Sequence, residues 1–414
     1  MPISVPGPLL WTNVIAGYLS DNGQRFAVVA NDKQGLEVWD TSGATASLEY
    51  KLVETEEIFM RAPYKGNNGP WLTPTRILYT VGQAPGQFRV LDVSSKTVTK
   101  LGGGTSHYGY QASEDGSWVA WYTGTLYATR ADLPGTVADL GNATEQYAWD
   151  PTSLRLAVQK TGSGPHLVVY NFQTGAPVIE WSGPQSAESF SWSSKGSRLA
   201  FTQANPNAGV YLVDFAKPAP APVLLVSAKG FNPNMRVEWM RSGNLLGAQV
   251  PSTSSLWDAS VPKDVTPNIV STSLIWKSYS VGLSATPDDR WLWWESSSGL
   301  QLTDRNSPSE KTIALNGHSA NFLPDTNLLI VGGAQHSKEM FDMSSGTPQS
   351  LAKFTANNNG KVRKNGNVAH LIYLDPQTTK LFSRAVVDGK LLPARQIGSH
   401  SVGNGFSCTP CTGF

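Results

Sequence analysis

The chain has 414 residues, enough for two or three average domains yet within the length a single large β-domain occupies. Charged residues make up 15% and the net charge is +1, against about 25% charged residues in average proteins. That balance supplies no basic stripe for nucleic acid and no acidic field for cation storage, and no run approaches the ~18 apolar residues of a membrane helix.

The chain opens on Met1-Pro-Ile-Ser-Val-Pro-Gly-Pro8, with neither the basic segment nor the apolar core of a secretory leader. Residues 1–12 read as an N-terminal extension. From residue 13 to 400 one signature recurs, an apolar residue followed four positions later by a turn former. The first copy, Leu19-Ser-Asp-Asn-Gly23, precedes a predicted strand, Arg25-Phe-Ala-Val-Val29, and a second one closed by an acid, Leu36-Glu-Val-Trp-Asp40. Tyr64-Lys-Gly-Asn-Asn-Gly-Pro70 reads as a loop insertion before the next copy, at Trp71, which leads to Phe88-Arg-Val-Leu-Asp92. Ala112-Ser-Glu-Asp-Gly116 then introduces Trp118-Val-Ala-Trp-Tyr122, and Trp149-Asp-Pro-Thr-Ser153 follows.

Trp192-Ser-Ser-Lys-Gly196 introduces Arg198-Leu-Ala-Phe-Thr202 and Val210-Tyr-Leu-Val-Asp214. Lys217-Pro-Ala-Pro-Ala-Pro222 reads as a long edge loop, because its prolines are incompatible with a central strand. Trp239-Met-Arg-Ser-Gly243 leads to Leu256-Trp-Asp258, and Ala285 to Arg290-Trp-Leu-Trp-Trp294, Leu300-Gln-Leu-Thr-Asp304 and Lys311-Thr-Ile-Ala-Leu315. The last copies start at Leu323 and Val362. Nine copies spaced by 37 to 52 residues, each with short strands and Gly, Asn, Asp or Ser turns, predict a propeller of four-stranded blades. The expected fold is all-β, a single closed β-propeller. Nine blades follow from the count and eight remain the main rival, since the copies at Trp71 and Val362 are weak.

The string Phe190-Ser-Trp-Ser-Ser-Lys-Gly-Ser-Arg-Leu-Ala-Phe201 followed by Val210-Tyr-Leu-Val-Asp214 resembles the WD40-like repeat (PD40) of TolB-type bacterial propellers. The likeness spans roughly residues 13–400. It departs from the pattern at Trp149-Asp-Pro-Thr-Ser153, where proline is shifted, and at Leu323-Pro-Asp-Thr-Asn327, which lacks the glycine. The resemblance implies a fold and no chemistry. It also implies a periplasmic, cell-surface or secreted protein whose leader is absent from this sequence, with a cytoplasmic location as the alternative.

Residues 401–414 form a C-terminal tail that holds both cysteines, Cys408 and Cys411. A small disulfide pinning the tail, free or partner-linked thiols, and a metal or redox site are the three readings. The disulfide is favoured, because no helix N-terminus is predicted to depress a thiol pKa and only His400 lies near as a further ligand. The strand-end acids Asp40, Asp92, Asp214, Asp258, Asp304 and Asp342 fit turns in which carboxylates accept backbone N–H bonds. Alternation in Trp291-Leu-Trp-Trp294 fits core packing.

No catalytic motif of the hydrolase, zincin, P-loop or EF-hand kinds occurs, no catalytic residue is assigned, and no cofactor or metal is expected. Residues four or five positions before each signature enter the innermost strand around a central channel. There lie Asn67 and Asn68, His107, Glu145, Glu188, Asn234 with Arg236 nearby, His318 and Asn358. Of these, His107, Glu145, Glu188, Arg236 and His318 form the candidate ligand-binding set at the channel mouth. The expected function is a non-catalytic binding or scaffold module that offers a disc face to a protein or glycan partner. The alternative is a propeller enzyme, a polysaccharide lyase or glycoside hydrolase, using those polar residues.

Overall fold

The computed structural model describes residues 11–400 except 21–23, 31–33, 41–46, 61–69, 83–85, 105–109, 164–165, 185–186, 205–206, 228–235, 241, 251–252, 259–262, 265–282, 287–288, 297–298, 305–311, 318, 323–326, 334–336, 346, 357–360, 366–367, 376–379 and 388–389. Every regular element among the described residues is a strand. The β-branched and aromatic runs that alternate with Gly, Asn and Asp turns leave no stretch with helical periodicity.

Four sheets are simple four-stranded antiparallel meanders. One runs Ala187–Trp192, Arg198–Gln203, Gly209–Asp214, Val223–Ser227, and the next Arg236–Trp239, Leu245–Val250, Thr253–Asp258, Lys263–Asp264. The other two are Leu283–Ala285, Trp291–Ser296, Gly299–Asp304, Thr312–Leu315 and Ser319–Phe322, Leu328–Gly332, Ser337–Asp342, Gln349–Thr355. A fifth sheet places both Ile58–Phe59 and Trp71–Thr73 against Arg76–Val81, followed by Gln87–Asp92 and Thr97–Gly104.

The two larger sheets arise because one strand serves two meanders. Ala138–Trp149 pairs at its start with Thr125–Arg130 and at its end with Arg155–Lys160. Likewise Trp11–Leu19 adds in parallel to Arg395–His400 through Trp11 and Val14, then pairs antiparallel with Arg25–Ala30. By contacts the chain divides into two compact units, one of Met1–Tyr110, Thr129–Val137 and Asn316–Phe414, the other of Gln111–Ala128 and Ala138–Leu315.

The signature is the hairpin loop after the first strand of a meander. Leu19, Ala112, Trp149, Trp192, Trp239 and Ala285 each end such a strand. The next residue closes the loop by donating its N–H to the residue that opens the second strand, as from Ser113 to the Trp118 carbonyl and from Ser193 to the Arg198 carbonyl, both 2.9 Å. Within the loop the fifth signature position donates back three residues, Gly116 to Ser113, Gly196 to Ser193, Gly243 to Met240 and Asp289 to Thr286. That fifth position has positive φ in all four loops, between 58° and 71°. This left-handed conformation is why the column is written in glycine with a single Asp among these four. Val362 departs from the scheme. Its strand, Lys361–Asn365, continues three residues past the signature's first position, and Asn365 pairs with Val368 in a tight hairpin.

Tryptophan at the first signature position joins consecutive meanders. Its indole N–H donates to the carbonyl one residue before the preceding signature: Trp71 to Tyr18 at 3.0 Å, Trp149 to Gln111 at 3.3 Å, Trp192 to Ala148 at 2.9 Å and Trp239 to Ser191 at 3.1 Å. All four indoles are buried. Apolar clusters fill the space between sheets. One holds Leu167, Val169, Trp192, Leu199, Phe201, Val213 and Phe215 and bonds the meander ending at Val178–Ser182 to the one starting at Ala187. Trp291, Leu292 and Trp293 are all buried, so both faces of that strand are packed. Lys217–Pro222 is the exposed connection within one sheet that its prolines predict.

Candidate functional site

Of the predicted channel-mouth set, His107 and His318 lie outside the described residues, as do Asn67, Asn68, Asn234, Asn358 and the cysteine pair Cys408 and Cys411. The other three fall on first strands of successive meanders, but in two different settings. Glu145 sits in Ala138–Trp149 where the register slips between Ala143 and Tyr147, and Glu188 sits in Ala187–Trp192 where it slips between Ala187 and Phe190. Both stand four residues before a signature tryptophan, so the slip is a repeated feature of the strand's entry. A slip leaves a residue without a ladder partner and bends the strand. Arg236 differs: it opens its strand in regular register opposite Gln249.

Threonine hydroxyls capture the backbone donors these slips release. Ser189 N–H donates to Thr202 Oγ1 at 3.1 Å, and Gln146 N–H to Thr144 Oγ1 at 3.0 Å. Thr144 in turn donates to Gln159 Oε1 at 3.2 Å, and Gln159 Nε2 reaches the Ala187 carbonyl of the next sheet at 3.4 Å. Gln111 adds a second stitch, its amide donating to the Tyr147 carbonyl at 2.7 Å while Trp149 donates to the Gln111 carbonyl. The entry halves of the first strands are thus tied by uncharged side chains from sheet to sheet, and Glu145 is half-buried among them.

Charge is concentrated elsewhere, at the first residue of the second strand. Arg25 grips Glu49 with Nε and Nη2 at 2.8 and 3.0 Å, and Arg155 grips Glu180 with the same two atoms at the same distances. Each pair spans its own sheet, from the second strand to the outermost. Arg198 holds the same position, but Leu225 stands where those sheets have glutamate. Its guanidinium instead donates to the Gly243 carbonyl at 2.7 Å and lies 5.0 Å from the Trp239 ring centre, in the next sheet. The Glu49 carboxylate raises the Arg25 pKa, its hydrogen bond outweighing the opposing effect of burial.

Asp150 is fully buried and heavily hydrogen-bonded. It accepts from Thr152 N–H and Oγ1, from Ser153 Oγ and, across to the following meander, from Ser197 N–H at 3.2 Å. Lys160 plugs the point where Ala138–Trp149 passes between hairpins, donating to the Leu140 carbonyl and, at 3.3 Å, to Tyr170 Oη. Burial lowers its pKa, with Asp139 opposing. The strand-end acids behave as turn acceptors at Asp92, Asp214 and Asp342, whereas Asp304 pairs with Arg290 at 2.8 Å. Among the described residues no group of three or more His, Cys, Asp or Glu is placed to hold a metal ion.

Of the joining residues, the signature tryptophans stand out in the sequence, whereas Gln111, Gln159 and Arg198 do not. The hydroxyl at the second signature position is the legible signal that was passed over: Ser20, Ser113 and Thr286 each accept from the N–H of Arg25, Trp118 and Trp291 at 2.9 to 3.0 Å. The arginine five or six residues after the signature's first position was a second such signal.

The chain is an all-β protein of mostly antiparallel sheets, and among the described residues no helix is long and apolar enough to cross a membrane. No protein-family model matches it, and no curated protein matches it. Among solved structures it is similar to the crystal structure of a eukaryotic initiation factor, with a TM-score of 0.54 at 13% identity over 94% of this chain and 91% of that one. It is also similar to the dihydro-heme d1 dehydrogenase NirN in complex with DHE, with a TM-score of 0.47 at 12% identity over 93% of this chain and 76% of that one. Sqt1 of Saccharomyces cerevisiae gives 0.44 at 11% identity over 94% and 99%. The first similarity speaks for the fold alone.

Proposed function

We propose that the chain is one closed β-propeller of nine four-stranded blades, of the TolB-type repeat, acting as a non-catalytic binding or scaffold module. The observation that carries this reading is where the polar groups go. Side chains of the first two strands and the signature loops join one meander to the next, through Trp71, Gln111, Trp149, Asp150, Gln159, Trp192, Arg198 and Trp239. A frame stiffened in this way holds loops and outer strands in fixed positions, which suits a surface that binds rather than a cleft that turns over substrate. Among the described residues, Leu48, Val53, Val178, Ile179, Val223 and Leu224 are exposed on the outer strands of three sheets, and Leu133 and Val137 are exposed between strands. Exposed apolar side chains on a nearly neutral chain fit a protein or glycan partner, and a net charge of +1 gives nucleic acid little to attract it. An exported location accords with the low charge.

One placement favours the enzymatic alternative. Glu145 and Glu188 occupy the same position in consecutive first strands, and a glycosidase needs two carboxylates across a cleft. One experiment separates the two readings. The purified chain is incubated with a panel of plant and bacterial polysaccharides while retention on the polymer and release of reducing or unsaturated ends are both recorded. Retention on a polymer, or capture of one defined envelope protein, without release of ends supports the binding module. Release of ends that is abolished in Glu145→Gln or Glu188→Gln would overturn it in favour of the enzyme.

A further inference from the structure

Among the described residues the strand Val223–Ser227 ends its sheet, with only Gly209–Asp214 beside it. A terminal strand presents unpaired backbone donors and acceptors, and folded proteins blunt such edges with charges, prolines or bulges. Other outer strands here carry that protection. Ser47–Val53 contains Glu49 and Lys51, paired with Arg25 and Glu37. Val178–Ser182 contains Glu180, paired with Arg155, and Gln349–Thr355 contains Lys353, 3.8 Å from Glu339. Thr97–Gly104 contains Lys100, and Lys263–Asp264 is charged throughout.

Val223-Leu-Leu-Val-Ser227 has no charge. Its adjacent Val223 and Leu224 point to opposite faces of the strand and are each 49% exposed. Thr312–Leu315 is the other uncharged outer strand, but Ile313 and Leu315 there are half-buried. The prolines at 218, 220 and 222 stop short of the strand, so of these devices it carries only the register slip against Val210 and Tyr211. The fold already completes one outer edge by strand addition, where Trp11–Leu19 joins Arg395–His400 in parallel.

We propose that two copies of this chain pair edge to edge through Val223–Ser227, so that their four-stranded sheets run on as one. A second copy fits this edge because a net charge of +1 sets up no repulsion between identical chains. An uncharged apolar edge is also complementary to itself about a two-fold axis. The contact is small. The prolines before Val223 confine it, and the register slip between Val210 and Tyr211 twists the strand. An edge of five residues falls well short of the roughly 1,000 Å² of a stable interface, so the pair forms in a concentration-dependent way. The proposal requires nothing of the partner-binding reading above.

Sedimentation velocity on the full chain tests it. The weight-average mass should climb from one copy towards two as concentration rises, and Leu224→Lys should hold it at one copy with the melting temperature unchanged. Leu48→Lys, on a charged outer strand, should leave the rise intact. Hydrogen exchange on the unsubstituted chain gives a reading independent of any variant: amides 223–227 should become more protected at high concentration. A single-copy mass at every concentration overturns the proposal. So does a rise that survives Leu224→Lys, or exchange at 223–227 that ignores concentration.

Discussion

The indole N–H of Trp192 donates to the carbonyl of Ala148, 2.9 Å away and 44 residues earlier. Ala148 immediately precedes Trp149, the same signature residue of the preceding repeat. Trp71, Trp149 and Trp239 make the same contact with Tyr18, Gln111 and Ser191. The signature tryptophan therefore does two jobs. Its ring fills the space between sheets, at 5.4 Å from Phe215 in the case of Trp192, and its one donor finds a fixed acceptor on the neighbouring first strand. An apolar residue of equal bulk would do only the first.

Two substitutions at Trp192 separate these roles. Trp192→Phe keeps an aromatic ring against Phe215 and leaves the Ala148 carbonyl without its donor, so a loss of about 1–2 kcal/mol is expected. Trp192→Ala also removes the packing and should cost about 3–5 kcal/mol. Urea unfolding measures both. A Phe variant as stable as the parent would show that the indole bond contributes nothing, and an unchanged Ala variant would show that the side chain is not core.

Gly196 couples two loops through lack of a side chain. It has φ of 71°, and a methyl placed on it would overlap the Thr152 hydroxyl and crowd Asp150 Oδ1. Gly124, at φ of 99°, has nothing within 4 Å of that position. Gly124→Ala therefore carries only the backbone cost of about 1–2 kcal/mol, whereas Gly196→Ala adds a clash with the preceding repeat. Thr152→Ala in the Gly196→Ala background should recover part of the loss and do nothing for Gly124→Ala. Equal losses in the two alanine variants, read from thermal melts, would refute the close approach.

How far these features could be read in advance follows from their range. The left-handed column at Gly116, Gly196, Gly243 and Asp289 is a local demand of one loop, so it is written in residue type and recurs at a countable spacing. The buried Trp291 and Trp293 follow from strand alternation for the same reason. The acceptors of the signature tryptophans are backbone carbonyls, at residues as different as Tyr18, Gln111, Ala148 and Ser191, and a carbonyl leaves no mark on sequence. Position alone placed Glu145 and Glu188 on equivalent stretches of their strands, but the register slips that bend those stretches depend on pairing with strands that follow in the chain. The copy at Val362 is weak because its strand runs on to Asn365, three residues past the signature's first position, although that strand does open a meander.

The contrast between Arg155 and Arg198 gives a third test. Arg155 faces Glu180 across its sheet with a bidentate pair, while Arg198, lacking that glutamate, turns to Gly243 and Trp239 of the next sheet. Glu180→Leu reproduces the second arrangement in the first sheet. The pair is partly exposed, so its loss should cost about 1 kcal/mol or less. The cost should shrink in high salt, because screening weakens the ion pair in the parent. Chemical denaturation by urea at low and high sodium chloride reads the difference. A cost that is the same at both salt concentrations would assign the effect to packing instead.

Tyr79 supplies the pH dependence. Its phenol is 1% exposed and donates to Glu54 Oε1 at 2.8 Å, while Arg89 holds the other carboxylate oxygen. Burial first, then the hydrogen bond to Glu54, raises the phenol above its ordinary 10.0. The folded state thus prefers the protonated phenol more strongly than the unfolded chain does. This stabilisation is fully present below the unfolded value and is lost as pH rises beyond it, when the unfolded tyrosine ionises and the folded one does not. Stability should therefore be insensitive to this group through neutral pH and decline above pH 10. Tyr79→Phe should cost about 1 kcal/mol near pH 7, where the hydrogen bond is lost. Its decline in alkali should be shallower, so that the gap to the parent narrows as the solution becomes more basic. Tyr110, buried and also raised by desolvation, is present in both proteins and cancels in the comparison. Urea midpoints of the two proteins from neutral pH to above pH 10 decide the matter: a gap that stays constant would mean that Glu54 and burial do not hold the Tyr79 proton.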